Sequence, residues 1–527
     1  MTNVKAYGFR YHGVVTGSLT NSSVHTVVAA EAGTTGAGVE VLYGSSDIIS
    51  TNLVRTTAGP EILLDSTAAA TATANNLAGQ AQLMRVLAVT GATQVTNNTF
   101  NTKAQAGDPN TGDSQTDGRS ALELNASPGV FVFGNSFSDN PGTTSLMDAI
   151  RLIGTRGTAG PAVLQRNTFQ GGRYSVRSEL STWLLQLSHS TNAAVGVVLS
   201  NADSVTLDTD TLTSAVTNCV QATGSSVQLA VTHGLFTQCG PTGNAAIEFN
   251  APGATVDINS GVTFAGAGQR AIEVNGAHHA FVIGNTMAGG SPEGTVNGSA
   301  SVGVIDLQAD SVTVVRNAVT GYPSYSALAL DGTAVRADSN FISQNRIGIR
   351  AGVISALEAR TNDIFDNDSV GVVNEQAAGI SIPNNWWGDS LGPRRSPVPA
   401  AVGDSADGNI AFTPLANVPL NAGTRPGLPL RKVFGGGQSA TQSTTLPEPF
   451  AVRVVDAVGR PVAGVDVVFT VTPGGAMFGG GSGTQTVSTN SSGLAEAVLT
   501  LGPPGTYTVT ATNSTVGSVT FTAAATP

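Results

Sequence analysis

A motif of asparagine, any residue, then an apolar residue recurs along the chain. It appears as Asn98-Thr-Phe100, Asn135-Ser-Phe137, Asn167-Thr-Phe169, Asn285-Thr-Met287, Asn317-Ala-Val319, Asn340-Phe-Ile342, Asn362-Asp-Ile364 and Asn385-Trp-Trp387. The last four anchors stand 23, 22 and 23 residues apart. A strand advances about 3.3 Å per residue and a turn takes only a few residues, so this period holds two or three short strands. One such unit cannot bury its own apolar face, and stacking it on its neighbours gives a parallel β-helix. The anchor Asn is expected to take the left-handed backbone of a sharp corner and to bond the same amide one coil away. Literal repetition supports the stack: Ala202-Asp-Ser-Val-Thr206 recurs as Ala309-Asp-Ser-Val-Thr313, again just ahead of an anchor.

A second strand type reads small, apolar, variable, usually apolar. It includes Ala121-Leu-Glu-Leu124, Ala149-Ile-Arg-Leu152, Ala246-Ile-Glu-Phe249, Ala271-Ile-Glu-Val274 and Val304-Ile-Asp-Leu307. Alternation turns the apolar pair inward and the variable residue outward. Burial of the inward column, at about 1.5–3 kcal/mol per side chain, holds the solenoid together. Cys219, in Cys219-Val-Gln-Ala222, fills the small slot and is expected as a packed free thiol, with a Cys219–Cys239 disulfide as the alternative.

Composition narrows the rest. With 64 Gly, 24 Pro and 11% charged residues, the chain has the make-up of strands and tight turns, which argues against a helical protein. A net charge of −11 offers no basic patch for a phosphate backbone, so nucleic acid is excluded as an expected partner. There is no apolar run long enough to span a membrane, and residues 1–25 lack a signal-peptide layout.

The segment Asn384-Asn-Trp-Trp-Gly-Asp-Ser-Leu-Gly-Pro393, with the Asn-rich coils before it, resembles the closing turn of bacterial right-handed parallel β-helix proteins. That group comprises secreted carbohydrate-binding and sugar-hydrolase-like solenoids. An open solenoid end exposes core, so Trp386 and Trp387 are read as a cover, with a sugar-stacking platform as the alternative. Pro and Gly then cluster through Pro414–Pro429 as in a linker. Beyond it, Pro447-Glu-Pro-Phe-Ala-Val-Arg-Val-Val455, the Gly459-Arg-Pro461 turn, Thr489-Asn-Ser-Ser-Gly493 and Gly505-Thr-Tyr-Thr-Val-Thr-Ala-Thr512 are similar to the bacterial Ig-like domains of the invasin and intimin type. The expected organisation is therefore all-β: a right-handed parallel β-helix over 1–415, a linker over 416–430 and an Ig-like β-sandwich over 431–527. The resemblance implies a secreted or cell-surface bacterial protein and brings no catalytic residues from the Ig-like part.

Aligning the second strand type gives an outward column of Arg85, Glu123, Arg151, Arg177, Val198, Gln221, Glu248, Glu273, Asp306, Ala329 and Arg350. Its early Arg/Glu alternation reads as a surface ion-pair ladder. Glu248, Glu273 and Asp306 differ, because like charges on successive coils destabilise unless something compensates them. They are the candidate catalytic carboxylates, since neighbours one coil apart approach the spacing of a retaining glycosidase pair. Asn250, Asn275, Gln308 and Asp331 lie two residues further along the same strands and are the candidate ligand-binding residues. The strings Asn-Thr-Asp, Asp-Asp and Gly-His-Gly of polygalacturonase-like enzymes are absent, and the solenoid holds only Lys5 and Lys103 as lysines for a lyase base.

His278-His279 falls at an expected turn without a role, and His233 stands where an anchor-like Asn would. Asp208-Thr-Asp210 and Asp363, Asp366 and Asp368 have hard-oxygen spacing but do not match the Gly-rich calcium repeat. No cofactor is expected; calcium is the one metal the pattern admits. A coil-to-coil contact between Arg346 and Asp368 accounts for the latter. The leading reading is an adhesive or carbohydrate-binding face on an Ig-like stalk, with a polysaccharide or cell-surface glycan, or another surface protein, as partner. A polysaccharide-degrading hydrolase or lyase is the alternative, and a structural element of a surface layer or filament is the third reading.

Overall fold

The computed structural model describes residues 39–43, 47–50, 52–55, 61–78, 83–89, 92–102, 120–139, 147–201, 203–239, 244–266, 270–289, 302–389, 391–394, 403–418, 420, 430–455, 462–491 and 493–527, with short strands before residue 29. Lys103, Ala202, most of the 416–430 stretch and the Gly459-Arg-Pro461 turn lie outside the described residues, as does the side chain of Lys5. Among the described residues every regular element is a β-strand. The chain divides into two compact units, Met1–Asn285 and Thr286–Pro527.

In the first unit each coil contributes strands to parallel faces. One face stacks Ser120–Asn125, Asp148–Ile153, Tyr174–Glu179, Val195–Ser200, Asn218–Thr223 and Ala245–Asn250 in register. A second stacks Phe131–Phe133, Ala162–Gln165, Thr182–Gln186, Ser204–Asp208 and Gln228–Thr232. A third stacks Ser136–Ser138, Thr168–Gln170, His189–Thr191 and Thr211–Thr213. Inward residues form columns of Val, Leu, Ile and Phe; Phe100, Phe137 and Phe169 stack at 4.5 and 5.2 Å between ring centroids. This is the parallel β-helix that the period predicts.

The anchors form buried amide ladders. Asn75 donates both its backbone N–H and its Nδ2 to Asn98 Oδ1, at 2.9 Å each, and Asn98 repeats this toward Asn135. Asn317, Asn340 and Asn362 do the same in the second unit, the last toward Asn385 Oδ1. Anchors also donate Nδ2 to a carbonyl three residues ahead of the preceding anchor, as Asn98 does to Ala72 and Asn340 to Val314.

The corner itself is made differently from the sequence expectation. Left-handed backbone falls on the residue before the anchor: Asn97, Arg166, Leu187, Thr209, Arg316, Ser339, Thr361 and Asn384 have φ between 53 and 59°. The anchor is thereby released from the turn and its amide is free to bond along the stack. His233, with φ of 52°, is a corner residue of the same kind; it occupies the pre-anchor position and Gly234 the anchor slot.

The expected free thiol is corrected: Cys219 and Cys239 are joined in a disulfide across a Cα separation of 5.0 Å. Their 20-residue spacing is nearly one coil, so the chain comes back beside its own start. Strand alignment identified the small slot at Cys219 but not what returns to it.

In the second unit the strands Gly303–Val315, Ala318–Asp338 and Phe341–Arg360 run in parallel register. Trp386 and Trp387 are buried, Trp386 against Phe341 and Phe365 and Trp387 edge-on to Phe412, which excludes an exposed sugar platform. Pairing continues beyond them, Val372 with Ala406 and Ile380 with Ile410, so the tryptophans close the core beneath one further layer. From Leu430 the chain forms a β-sandwich. Its three-stranded sheet is Leu430–Phe434, Phe450–Val454 and Leu494–Ala497. Its five-stranded sheet runs Gln438–Thr441, Gly517–Thr526, Gly505–Asn513, Asp466–Thr472 and Thr484–Ser488. Phe450, Phe469, Val509 and Phe521 fill the space between the sheets. Tyr507 donates its hydroxyl to the Pro503 carbonyl four residues back, at 2.6 Å, a local brace of the kind seen at sandwich corners.

Within this unit the sandwich meets the last coils through charge. Buried Arg453 approaches Asp389 at 3.6 Å, and buried Arg431 lies 3.8 Å from Asp366 and over the Phe365 ring at 5.0 Å. Arg394 pairs with Glu448 at 2.8 Å and stacks on Phe434.

Candidate functional site

The candidate site is built on two adjacent strands of the first unit, Ala245–Asn250 and the start of Arg270–Ile283. Parallel register sets Gln221 beside Glu248, Glu248 beside Glu273, and Asn250 beside Asn275. Alternation sends Ile247, Phe249, Ile272 and Val274 into the core and leaves Glu248, Asn250, Glu273 and Asn275 on the outside. Asn250 donates Nδ2 to Glu248 Oε1 at 2.8 Å, Asn275 donates to Asn250 Oδ1 at 2.7 Å, and Asn275 also reaches Glu273 Oε1 at 3.3 Å. Two carboxylates and two amides therefore form one hydrogen-bonded quartet, with lone pairs and N–H groups left toward solvent.

The compensation that the stacked carboxylates require comes from the protein. Arg270, whose side chain is 7% exposed, donates Nη1 to Glu273 Oε2 at 2.9 Å. Sequence reasoning missed it because strand alternation assigns residues three apart to opposite sides. Aligning the slot at the start of each strand would have found it, since Arg270 stands beside Ala245 there, and Asp148 beside Tyr174.

In the second unit Asp306 lies in register with Ala329 and accepts the Gly303 N–H at 3.0 Å. Exposed Gln308 is in register with Asp331, which accepts the Val353 N–H at 2.7 Å. Arg350 reaches Glu375 at 2.6 Å and Asp331 at 3.7 Å. Burial works against its charge, but Glu375, Asp331 and Asp306 outweigh that and raise its pKa. Arg350 thus stands among three carboxylates and partly offsets their charge.

The hard-oxygen pairs disperse. Burial acts to raise the pKa of Asp208, but hydrogen bonds from Thr232, His233, Gln186 and Thr209 outweigh it and hold the carboxyl below its usual range. Asp210 turns inward into the anchor ladder, where Oδ1 accepts the Ser188 N–H at 2.8 Å. Asp363 accepts the Leu420 N–H, Asp366 faces Arg431, and exposed Asp368 sits within the field of Arg346. Among the described residues no group of three or more His, Cys, Asp and Glu side chains converges as a metal site. His278 and His279 pack on each other at 4.1 Å, and His279 on Phe281.

Fold and site together define a parallel β-helix carrying a polar outward face, followed by a β-sandwich. No family model matches the chain, and no curated protein matches it. Among solved structures it is similar to a mutant tailspike protein of E. coli bacteriophage HK620 in complex with pentasaccharide, at 11% identity over 94% of this chain and 86% of that one, with a TM-score of 0.29. It is also similar to a tailspike protein of Acinetobacter baumannii bacteriophage Fri1, a capsular polysaccharide depolymerase, at 10% identity over 87% and 80% of the two chains, with a TM-score of 0.21.

Proposed function

We propose that the β-helix binds a polysaccharide or cell-surface glycan along its outward face, with Glu248, Asn250, Glu273 and Asn275 taking the sugar hydroxyls. The quartet is the observation that carries this reading. Carboxylates and amides fixed in register on rigid strands offer paired acceptors and donors, which is what vicinal hydroxyls require. Arg270 supports the reading by making the two adjacent carboxylates tolerable without a bound cation. In the second unit Asp306, Gln308 and Asp331 are the corresponding outward polar residues.

The sandwich serves as a spacer of the bacterial Ig-like type on a secreted or surface-displayed chain. The Cys219–Cys239 disulfide supports an oxidising compartment, where such bonds persist. No helix among the described residues is long and apolar enough to cross a membrane.

Hydrolysis is the second reading, favoured by one observation: Glu248 and Glu273 are direct register partners on adjacent strands about 4.8 Å apart, close enough for their carboxyl groups to reach the roughly 5–5.5 Å of a retaining pair.

A glycan-array assay on the full chain, with and without Ca²⁺, beside a Glu248→Ala, Glu273→Ala double variant tests both readings. Binding that the double variant abolishes supports the site, and release of reducing ends from the bound glycan converts it to an active centre. Binding that needs Ca²⁺ assigns a metal to the face. Failure to bind any glycan refutes the sugar reading and leaves a structural or protein-adhesive role.

A further inference from the structure

Three coils from the quartet, the same outward column changes sign. Arg151 and Arg177 are direct register partners on adjacent strands, both half-buried and both outward. Like charges opposite one another in a sheet are destabilising. Arg151 has Glu123 as its register partner on the other side, and buried Asp148 lies within the field of both guanidiniums, so Arg177 is the outer cation of the group. Arg177 makes no ion pair among the described residues. Its guanidinium lies 6.0 Å from the centre of the Tyr174 ring, whose other neighbour is the Arg173 guanidinium at 5.0 Å. Arg173 is itself committed, gripping buried Asp148 through Nε and Nη2 at 2.7 and 3.0 Å. Tyr174 is thus held by a fixed ion pair and in turn holds Arg177, so the Arg177 fork is pre-positioned with its polar edge unspent.

We propose that Arg177, with Arg151 beside it, binds a single anionic substituent, a carboxylate or sulfate ester, on a glycan that is otherwise neutral. The inference rests on the glycan reading above and deepens it. A guanidinium fork takes two oxygens of a carboxylate or sulfate in parallel hydrogen bonds, and an anion seated on Arg177 also relieves its like-charge contact with Arg151.

The register also sets where the charge falls along the polymer. From Arg177 the column runs through Val198 and Gln221 to Glu248 and Glu273. Glu248 is three coils from Arg177, about 14 Å at the spacing of neighbouring strands. A chain lying along the face meets cations at one end and carboxylates at the other. Anionic groups on every sugar would bring like charge against Glu248 and Glu273, so the face selects a sparsely charged heteropolysaccharide over a homopolymer of uronic acid.

The test compares the full chain with an Arg177→Gln variant against six probes. These are a neutral glycan, a sparsely uronate-bearing glycan, the same glycan with its carboxyls reduced to alcohols, a polyuronate, a sulfated glycan without carboxyls, and an acidic peptide. The sparsely acidic glycan is expected to bind tightest. Arg177→Gln and carboxyl reduction should each cost it about tenfold and abolish its salt dependence, while binding of the neutral glycan is unchanged. A sulfated, uncarboxylated glycan binding as tightly would assign sulfate as the anion. Equal affinity of the variant and the parent for the acidic glycan overturns the proposal, and a retained loss in the Glu248→Ala, Glu273→Ala variant would then show that the sugar reading survives it. An acidic peptide that competes as well as the acidic glycan also overturns it, in favour of a protein partner. Arg177→Lys keeps the charge without the fork, and its intermediate affinity distinguishes lost geometry from lost folding.

Discussion

Asp210 occupies, between Ser188 and Gly234, a ladder position that asparagine fills in coils further along the stack, and Asp210→Asn is the substitution from which most can be learned. The side chain is 2% exposed, and Oδ2 makes no hydrogen bond among the described residues. In the ladders an anchor Asn donates Nδ2 to the carbonyl three residues ahead of the preceding anchor, as Asn135 does to Val95 and Asn167 to Val132. By the same step the acceptor for Asp210 is the Leu185 carbonyl, and an ionised carboxylate has no proton to give it. Burial accordingly raises the pKa of Asp210 from 3.8 to about 7. A folded-state pKa above the unfolded one means that the native state holds the proton more tightly. Stability from this group is therefore full in acid and falls as pH rises from about 4 to about 7. A shift of about three units at 1.36 kcal/mol each makes the ionised side chain cost about 4 kcal/mol at pH 8, and about 2 kcal/mol at pH 5. Asparagine keeps the Ser188 contact, supplies the missing donor and does not titrate. Urea unfolding of the two proteins at pH 5, 6, 7 and 8 should show the variant more stable throughout, with the gap widening by about 2 kcal/mol across the series. A gap that stays constant with pH would refute the protonated-ladder argument, and a variant less stable at pH 8 would refute the assigned donor.

Other consequences of the fold are open to the same kind of measurement. Leu187 is exposed at a pre-anchor corner with φ of 53°, so Leu187→Gly should raise the urea midpoint by the equivalent of up to about 1 kcal/mol, the left-handed cost less glycine's entropy. Replacing Cys219 and Cys239 together by serine opens a 20-residue loop and should cost about 3 kcal/mol on the loop-entropy account, read as a lower midpoint that reductant no longer changes. Arg453→Ala removes the buried guanidinium that faces Asp389 at 3.6 Å and should cost about 3–5 kcal/mol, and limited proteolysis should then separate the sandwich from the last coils faster than in the parent.

The parallel β-helix was legible because its period is written in residue types: a recurring anchor amide, spaced 22 or 23 residues over the last four coils, and an inward apolar pair in each coil. Register followed too, since a one-residue slip would turn every inward side chain outward. The outward column was therefore read correctly down to Val198, which pairs with Arg177 and Gln221. Side-chain reach was not legible. Arg270 bends to Glu273 along its own strand, Arg173 holds Asp148 across coils, and Tyr174 collects two guanidiniums, none of which follows from alternation.

The sequence by itself determined the stack, the inward columns and the candidate residues of the outward face, because these depend on periods of two and of one coil. Tertiary structure alone decided which residue turns the corner, that the two cysteines bond, and that buried arginines join the sandwich to the final layer. It also decided which charges are neutralised within the protein and which are left facing outward. Those outcomes depend on where the chain returns in space and how far long side chains bend, and neither is a property of local spacing.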